Sequence, residues 1–476
     1  MASAPAGSAP ADPLAAAAFA ALDRLAPSGG LGLAVSGGSD SLALLHLAAD
    51  WARARGRAVR AATVEHGLRG AAPAEAAAVA RLAARLGVAH EMLAVVLPPR
   101  GNLQARAREA RLGALGAWAR GHGLGAVALG HTRDDQAETV LMRLARGSGV
   151  DGLAGMAAAR ALDADEPAGP RLVRPLLALD REALRGWLRA RGLGWVEDPS
   201  NADPAFDRVR ARAALRALGP LGIDAVGLAA TAARLGEQRA VLDEAAMVVL
   251  RGAVTPGRAG EIRIEAASFA ALPADIARRA VAVALFAATG EAVPPRRRTL
   301  DRVTTLLGRA EDEGFEAQPV GRGLLALGRD GRVSLCREPS ACPPPLRARH
   351  GVVWDARALL ALVPRGGVTL GALGIAGQRA IADTREPLST NHPPASMPSG
   401  WYRRMGGWWR APWPARRTTP TVFDATGEPI ALVLPDGLLK LAPRPRGGPP
   451  RRRDFFVPTG ARHLVAERLR HALRGA

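Results

Sequence analysis

The chain has 476 residues, is 48% hydrophobic and carries a formal net charge of +20, which allows roughly two to four domains and points to a polyanionic partner. It has no apolar run long enough to span a bilayer, and its Ala- and Pro-rich first 30 residues lack the basic and apolar regions of a secretory signal, so a cytoplasmic location with no membrane partner is expected. Its two cysteines, Cys336 and Cys342, exclude a disulfide scaffold, a four-thiolate zinc site and a Cys-x-x-Cys redox pair.

In chain order, residues 1–25 read as a flexible N-terminal extension. Strands are then expected near 31–36, 59–64, 91–96 and 125–130, with amphipathic helices near 40–55, 74–87, 103–121 and 134–146. The alternation implies an α/β domain: a mostly parallel sheet with helices on both faces, binding its ligand beyond the carboxyl ends of the strands. Polar residues gather at those ends, in Ser36-Gly37-Gly38-Ser39-Asp40-Ser41, in Glu65-His66-Gly67-Leu68-Arg69 and in Gly130-His131-Thr132-Arg133-Asp134-Asp135-Gln136-Ala137-Glu138. A further block, from Gly101 to Arg111, opens the helix after the third strand. Beyond 215 the pattern turns helical over 218–310, then shows short alternating strands over 316–336, a Pro-rich linker over 337–349 and a basic, β-rich region over 350–476.

A strand, a glycine turn and a helix start collect unpaired backbone N–H groups where phosphates can sit. No lysine follows the glycines, so the turn is not the phosphate loop of kinases. Asp40 beside phosphates is repulsive unless it holds a divalent cation; the structural alternative is an ordinary helix cap. Asp134 or Asp135 can cap the next helix, but Asp135 and Glu138 also share a face and call for a cation, either a metal or an ammonium-bearing substrate. Arg108 and Arg111, likewise three apart, form either an anion site or surface salt bridges. All but one of the 64 basic Lys and Arg residues are arginine, and the excess is densest after residue 400, as phosphate-backbone binding would use it. Trp408 and Trp409, flanked by arginines, either pack in a core or stack on bases.

These segments together resemble the PP-loop ATP pyrophosphatases, and within them the tRNA(Ile)-lysidine synthase family. Arg174-Pro175-Leu176-Leu177 and Glu197-Asp198-Pro199-Ser200-Asn201 extend the likeness over about the first 215 residues. Three positions depart from the family pattern: Glu65 stands for an aspartate, Leu112 for a tyrosine and Val209 for an asparagine.

The resemblance implies a cytoplasmic enzyme that uses ATP and Mg2+ to adenylate the wobble cytidine of the isoleucine tRNA with anticodon CAU. Free L-lysine then displaces AMP. It implies that Ser36, Gly37, Gly38, Ser39, Asp40 and Ser41 hold the ATP phosphates, with Asp40 acting through the metal. By the same resemblance Asp135 and Glu138 take the lysine ammonium and Arg108 or Arg111 its carboxylate. His131 is a further catalytic candidate, for amine deprotonation or phosphate contact. Residues 26–216 would form the catalytic domain, 217–336 a mainly helical tRNA-binding domain and 350–476 a second tRNA-binding domain. A homodimer is left open. The alternatives are a tRNA cytidine thiolase, whose family uses cysteines near the loop that this region lacks, and a non-catalytic tRNA-binding protein.

Overall fold

The computed structural model describes residues 12–342, apart from 27–28, 66–71, 96–102, 163–168, 198–202, 258–260, 291–294, 311–316 and 328–331, and beyond 342 only short strands. The chain forms two compact units, Met1–Ala240 and Val241–Ala476.

In the first unit the elements run α1 (Pro13–Leu25), β1 (Gly30–Ala34), α2 (Ser39–Arg55), β2 (Val59–Glu65), α3 (Ala72–Arg85), β3 (Ala89–Ala94), α4 (Leu103–Gly121), β4 (Leu124–Leu129) and α5 (Arg133–Leu144). There follow the short α6 (Val150–Leu153), β5 (Ala159–Ala161), β6 (Arg171–Val173), α7 (Arg181–Arg189), α8 (Asp207–Leu218) and α9 (Ala225–Ala253), which runs on into the second unit. The sheet order is β3-β2-β1-β4-β6-β5. All neighbours are parallel except β5 and β6, so the sheet is mixed, with one antiparallel edge strand.

Side chains two apart in a strand point to the same face, and this alternation sorts the helices. Leu31, Leu33, Ala126 and Ala128 pack with Leu22 of α1, Leu44 and Trp51 of α2, and Leu184 and Leu188 of α7. Their alternates Ala34, Val127 and Leu129 pack with Leu115 and Trp118 of α4. Gly32 has no side chain because a Cβ there would lie 2.5 Å from the Trp118 ring.

Residues 13–25, expected as part of a flexible extension, instead form α1 and lie in the core, with Ala18 and Leu22 fully buried; residues 1–11 lie outside the described residues. Asp12 is the N-cap, accepting from the backbone N–H of Leu14 at 3.0 Å, and Pro13 fills the first helical position. The other Asp12 oxygen accepts from Trp187 Nε1 at 2.6 Å and from Arg191 at 2.9 Å, fastening α1 to α7.

Residues 217–336 are mainly helical, as expected, and in addition form an antiparallel sheet, of which the first two strands were not expected. Strands β7 (Val254–Pro256), β8 (Ile262–Ile264), β9 (Gln318–Val320), β10 (Gly323–Leu327) and β11 (Val333–Arg337) form an antiparallel sheet in the order β7-β8-β11-β10-β9. Its inner face (Ile262, Ile264, Leu325, Leu335) buries Val281 and Leu285 of α11 (Ala274–Thr289) and Val303 and Leu307 of α12 (Arg297–Arg309), beside the single-turn α10 (Ala267–Ala270). β7 and β8 have three residues each, too few for a periodic signal. A β-rich region follows, with antiparallel strands such as Pro429–Leu434 against Gly437–Lys440. Trp401, Trp408, Trp409 and Trp413 lie outside the described residues. Among the described residues no single helix is long and apolar enough to cross a membrane.

Replacing Asp12 by Ala removes a helix cap and strands the Trp187 and Arg191 donors. The expected loss is about 2 kcal/mol in the first unit, read as a lower urea midpoint with faster hydrogen exchange in α1. An unchanged midpoint would show that α1 contributes no stability through this residue.

Candidate active site

From β1 the sheet is built outward through β2 on one side and through β4 on the other. The loops leaving β1 and β4 therefore diverge, opening a crevice between them. The first loop is the glycine turn. Gly37 has φ +88°, a conformation L side chains rarely adopt, and Gly38, the N-cap of α2, has no side chain with which to cap the helix. The Ser41 hydroxyl accepts from the Ser36 N–H at 3.1 Å and donates to the Gly38 carbonyl at 2.9 Å, so Ser41 closes the turn. The opened helix start is left to an anion.

The second loop approaches so closely that a Cβ on Gly130 would stand 2.9 Å from the Asp40 carbonyl oxygen. Both loops line a cavity of about 750 Å³, together with Arg108, Arg111, His131, Asp135 and Arg181. The fourth-strand block and the glycine turn thus meet, as do Arg108 and Arg111. His66 to Arg69 and Gly101 to Asn102 lie outside the described residues, as do Asp198 to Asn201.

The cation called for by the acid pair is supplied by the chain itself. Arg181, the first residue of α7, donates from Nε to Asp40 at 3.0 Å, from one terminal nitrogen to Asp135 at 3.0 Å and from the other to Glu138 at 3.2 Å. Arg208 adds a second contact to Asp135 at 3.0 Å, and Arg212 one to Glu138 at 2.9 Å. Asp135 is also the N3 partner in a capping box: Thr132 N–H and hydroxyl donate to its other oxygen at 2.9 and 3.0 Å. Both Asp135 oxygens are therefore occupied. Glu138 is fully buried, and its second oxygen has no partner.

Electrostatics follow from this crowding. Burial raises the Asp40 carboxyl above its usual range despite Arg181. Burial also works against Asp135, but Arg181, the Thr132 backbone and Arg208 together hold it below that range. Burial acts against the charge of Arg181 too, and is outweighed by Asp135, Asp40 and Glu138, which push it upward. Elsewhere in the cavity lining burial, then repulsion from Arg108, lowers Arg111, and burial, then repulsion from Arg208, Arg160 and Arg143, lowers Arg108. Neither has an acidic partner among the described residues, so the surface salt-bridge alternative does not describe them. Arg174 is lowered to about 10 by burial and by Arg160, Arg108 and Arg143. Its Nε donates to His131 Nδ1 at 3.2 Å, which leaves the proton of a neutral imidazole on Nε2.

Among the described residues no group of three His, Cys, Asp or Glu forms a metal-ligand cluster. The donor set nonetheless suits magnesium, which keeps several waters and needs only one or two carboxylates beside substrate phosphates; Asp40 in the turn is such a carboxylate. Sequence reasoning missed Arg181, Arg208 and Arg212, because nothing near them in the chain marks them as partners of acids between 43 and 141 residues away.

The PP-loop domain family matches residues 15–218. The chain is 43% identical over 379 residues to a tRNA(Ile)-lysidine synthase of Ruegeria pomeroyi, covering 78% of this chain and 86% of that protein. It is 43% identical over 320 residues to one of Hyphomonas neptunium, covering 66% and 83%. Among solved structures it is similar to a U34-tRNA thiolase of Methanococcus maripaludis at 18% identity and a TM-score of 0.40, over 47% of this chain and 77% of that one.

Burial, with the neighbouring arginines Arg174, Arg208 and Arg108, holds His131 down to about 3. Because the folded pKa lies below the unfolded one, His131 is neutral in the fold between about 3 and 6.5 while the unfolded chain takes up a proton. Its contribution to stability is therefore present above pH 6.5 and is lost as pH falls toward 3. Histidine-labelled NMR should show the His131 ring unchanged between pH 8 and pH 5; a midpoint near pH 6.5 would contradict the site's electrostatics.

Proposed function

The chain belongs to the tRNA(Ile)-lysidine synthase family, and from that premise we propose that it joins L-lysine to C2 of the wobble cytidine of the CAU-anticodon isoleucine tRNA. The observation that carries this reading is that an uncapped, phosphate-accepting helix start and Asp135 of the acid pair line one cavity with Arg108 and Arg111, which have no acidic partner among the described residues. One end receives a triphosphate and the other an amino acid.

In the first step the cytidine O2 attacks the α-phosphorus of ATP and pyrophosphate leaves. The first backbone N–H groups of α2 and the Ser36 and Ser39 hydroxyls hold the phosphates in line, while Ser41 keeps the turn closed. Magnesium, when bound, neutralises phosphate charge, and Asp40 is the residue that would hold it. His131, neutral and with its proton on Nε2, donates a hydrogen bond to an anionic oxygen and is a poor base.

In the second step the lysine ε-amine attacks C2, the bond to the adenylated oxygen breaks and AMP departs; the amine gives up a proton. Arg108 or Arg111 takes the lysine carboxylate. The geometry divides the acid pair. Asp135 is fully engaged in the helix cap and with two arginines, whereas Glu138 keeps one oxygen without a partner. The amine contact, and acceptance of its proton, therefore fall to Glu138, with the half-exposed Arg212 as the group that gives way. The arginine-rich region beyond residue 400 supplies contacts to the tRNA backbone.

The test follows radiolabelled lysine into CAU-anticodon tRNA and requires ATP-dependent incorporation; incorporation of sulfur, or of nothing, would overturn the reading. Asp40→Asn should retain tRNA binding while pyrophosphate release falls by about 100-fold or more. Glu138→Gln should still adenylate tRNA but fail in lysine transfer. If Glu138→Gln instead binds lysine at the normal concentration but fails to adenylate, the acid pair belongs to the ATP site.

A further inference from the structure

We infer that Arg181 is a positioning residue that couples the phosphate turn to the acid pair, so that ATP and the amino-acid substrate bind cooperatively. The inference rests on the activity proposed above. It begins from one juxtaposition: the three guanidinium nitrogens of Arg181 each meet a different carboxylate, Asp40 on α2 and Asp135 and Glu138 on α5. A guanidinium is a rigid planar fork, so its three contacts cannot be adjusted independently.

The base of the side chain is held fast. The Arg181 N–H donates to Asp134 at 2.8 Å, and Arg133 donates to both oxygens of Asp180 at 2.7 and 2.9 Å. The start of α7 is thus clamped to the start of α5, and the freedom left is a pivot of the charged head. The head is largely shielded from water, with 13% of the side chain exposed, so solvent does not screen the three contacts from one another.

Asp40 stands in the first turn of α2, at the helix start that accepts an anion. A polyphosphate there, still net negative after the magnesium that Asp40 would hold, adds negative charge beside Nε and draws the guanidinium toward the turn. What is gained at Nε is lost at the terminal nitrogens, on Asp135 and Glu138. An acid pair with less counter-charge attracts an ammonium more strongly. Glu138, whose second oxygen has no partner, is the member left to respond. By linkage the amine must in turn tighten ATP. A guanidinium that served only to neutralise three acids would give no such dependence.

The experiment is equilibrium dialysis of radiolabelled lysine against the full-length chain, with and without the α,β-methylene analogue of ATP in magnesium buffer. In the native protein the analogue should lower the lysine Kd by about fivefold or more. Arg181→Lys keeps the positive charge but replaces the three-way fork with a single nitrogen; lysine and the analogue should still bind it, with the lysine Kd indifferent to the analogue. A native Kd that ignores the analogue overturns the coupling, and this arm needs no variant to fold. An Arg181→Lys protein that retains the native ratio overturns the role of Arg181. Failure of the native chain to bind lysine in either condition overturns the proposed activity and the coupling with it, whereas lysine binding blind to the analogue overturns the coupling alone.

Discussion

One guanidinium shared by Asp40, Asp135 and Glu138 is the contact on which the crevice depends. Two like charges about 4 Å apart repel by about 4 kcal/mol at an effective dielectric near 20, a large fraction of the stability of a typical domain. The fold gathers three carboxylates at the mouths of two adjacent strands, and without a cation among them the turn and the α5 start could not approach as they do. Arg181 supplies it from α7, and two half-exposed arginines of α8, Arg208 and Arg212, complete the charge balance at Asp135 and Glu138.

Other arginines have the reverse problem. Arg108, Arg111 and Arg174 lose ionisation range through burial, and Arg108 repels each of the other two. Arginine tolerates this where lysine would not. Arg174 is pushed down to about 10 and still carries its charge at neutral pH, whereas a lysine begins about two units lower and would titrate in the same surroundings. Arg108 and Arg111, which have no acidic partner among the described residues, destabilise one another, and an anionic ligand relieves them. The cavity thus holds positive potential at Arg108 and Arg111 ready for phosphate or carboxylate, while its acids are neutralised by Arg181 and Arg208.

The sequence pattern located the parallel core well because each of the first four strands is followed by a long helix with its own apolar face. It missed α1, although Asp12-Pro13 followed by Leu14, Phe19, Leu22 and Leu25 carries a cap, a first-position proline and a buried stripe; the surrounding alanine and proline masked that signal. It missed β7 and β8 because three residues carry no periodicity. At the site, the spacing of Asp135 and Glu138 called for a cation, read as a metal or an ammonium-bearing substrate. It could not say that the cation was a side chain of α7, since that contact depends on how the chain returns over the sheet. Nor could spacing separate the two acids: Asp135 is engaged in capping its own helix, which only the Thr132 geometry reveals.

The convergence has a topological cause. Because β1 and β4 are parallel neighbours, α2 and α5 both begin at the same edge of the sheet, and the clamp between Arg133 and Asp180 brings the start of α7 there as well. Three helix starts then direct their positive ends into one crevice. Asp40, Asp134 and Asp135 lie in the first turns of α2 and α5, where those dipoles favour carboxylates. Glu138, one turn further along α5, receives less of that help and depends on side-chain cations. It is also the acid that keeps an open oxygen. The residue least stabilised by the backbone thus depends most on internal arginines, Arg181 and Arg212, for its charge balance.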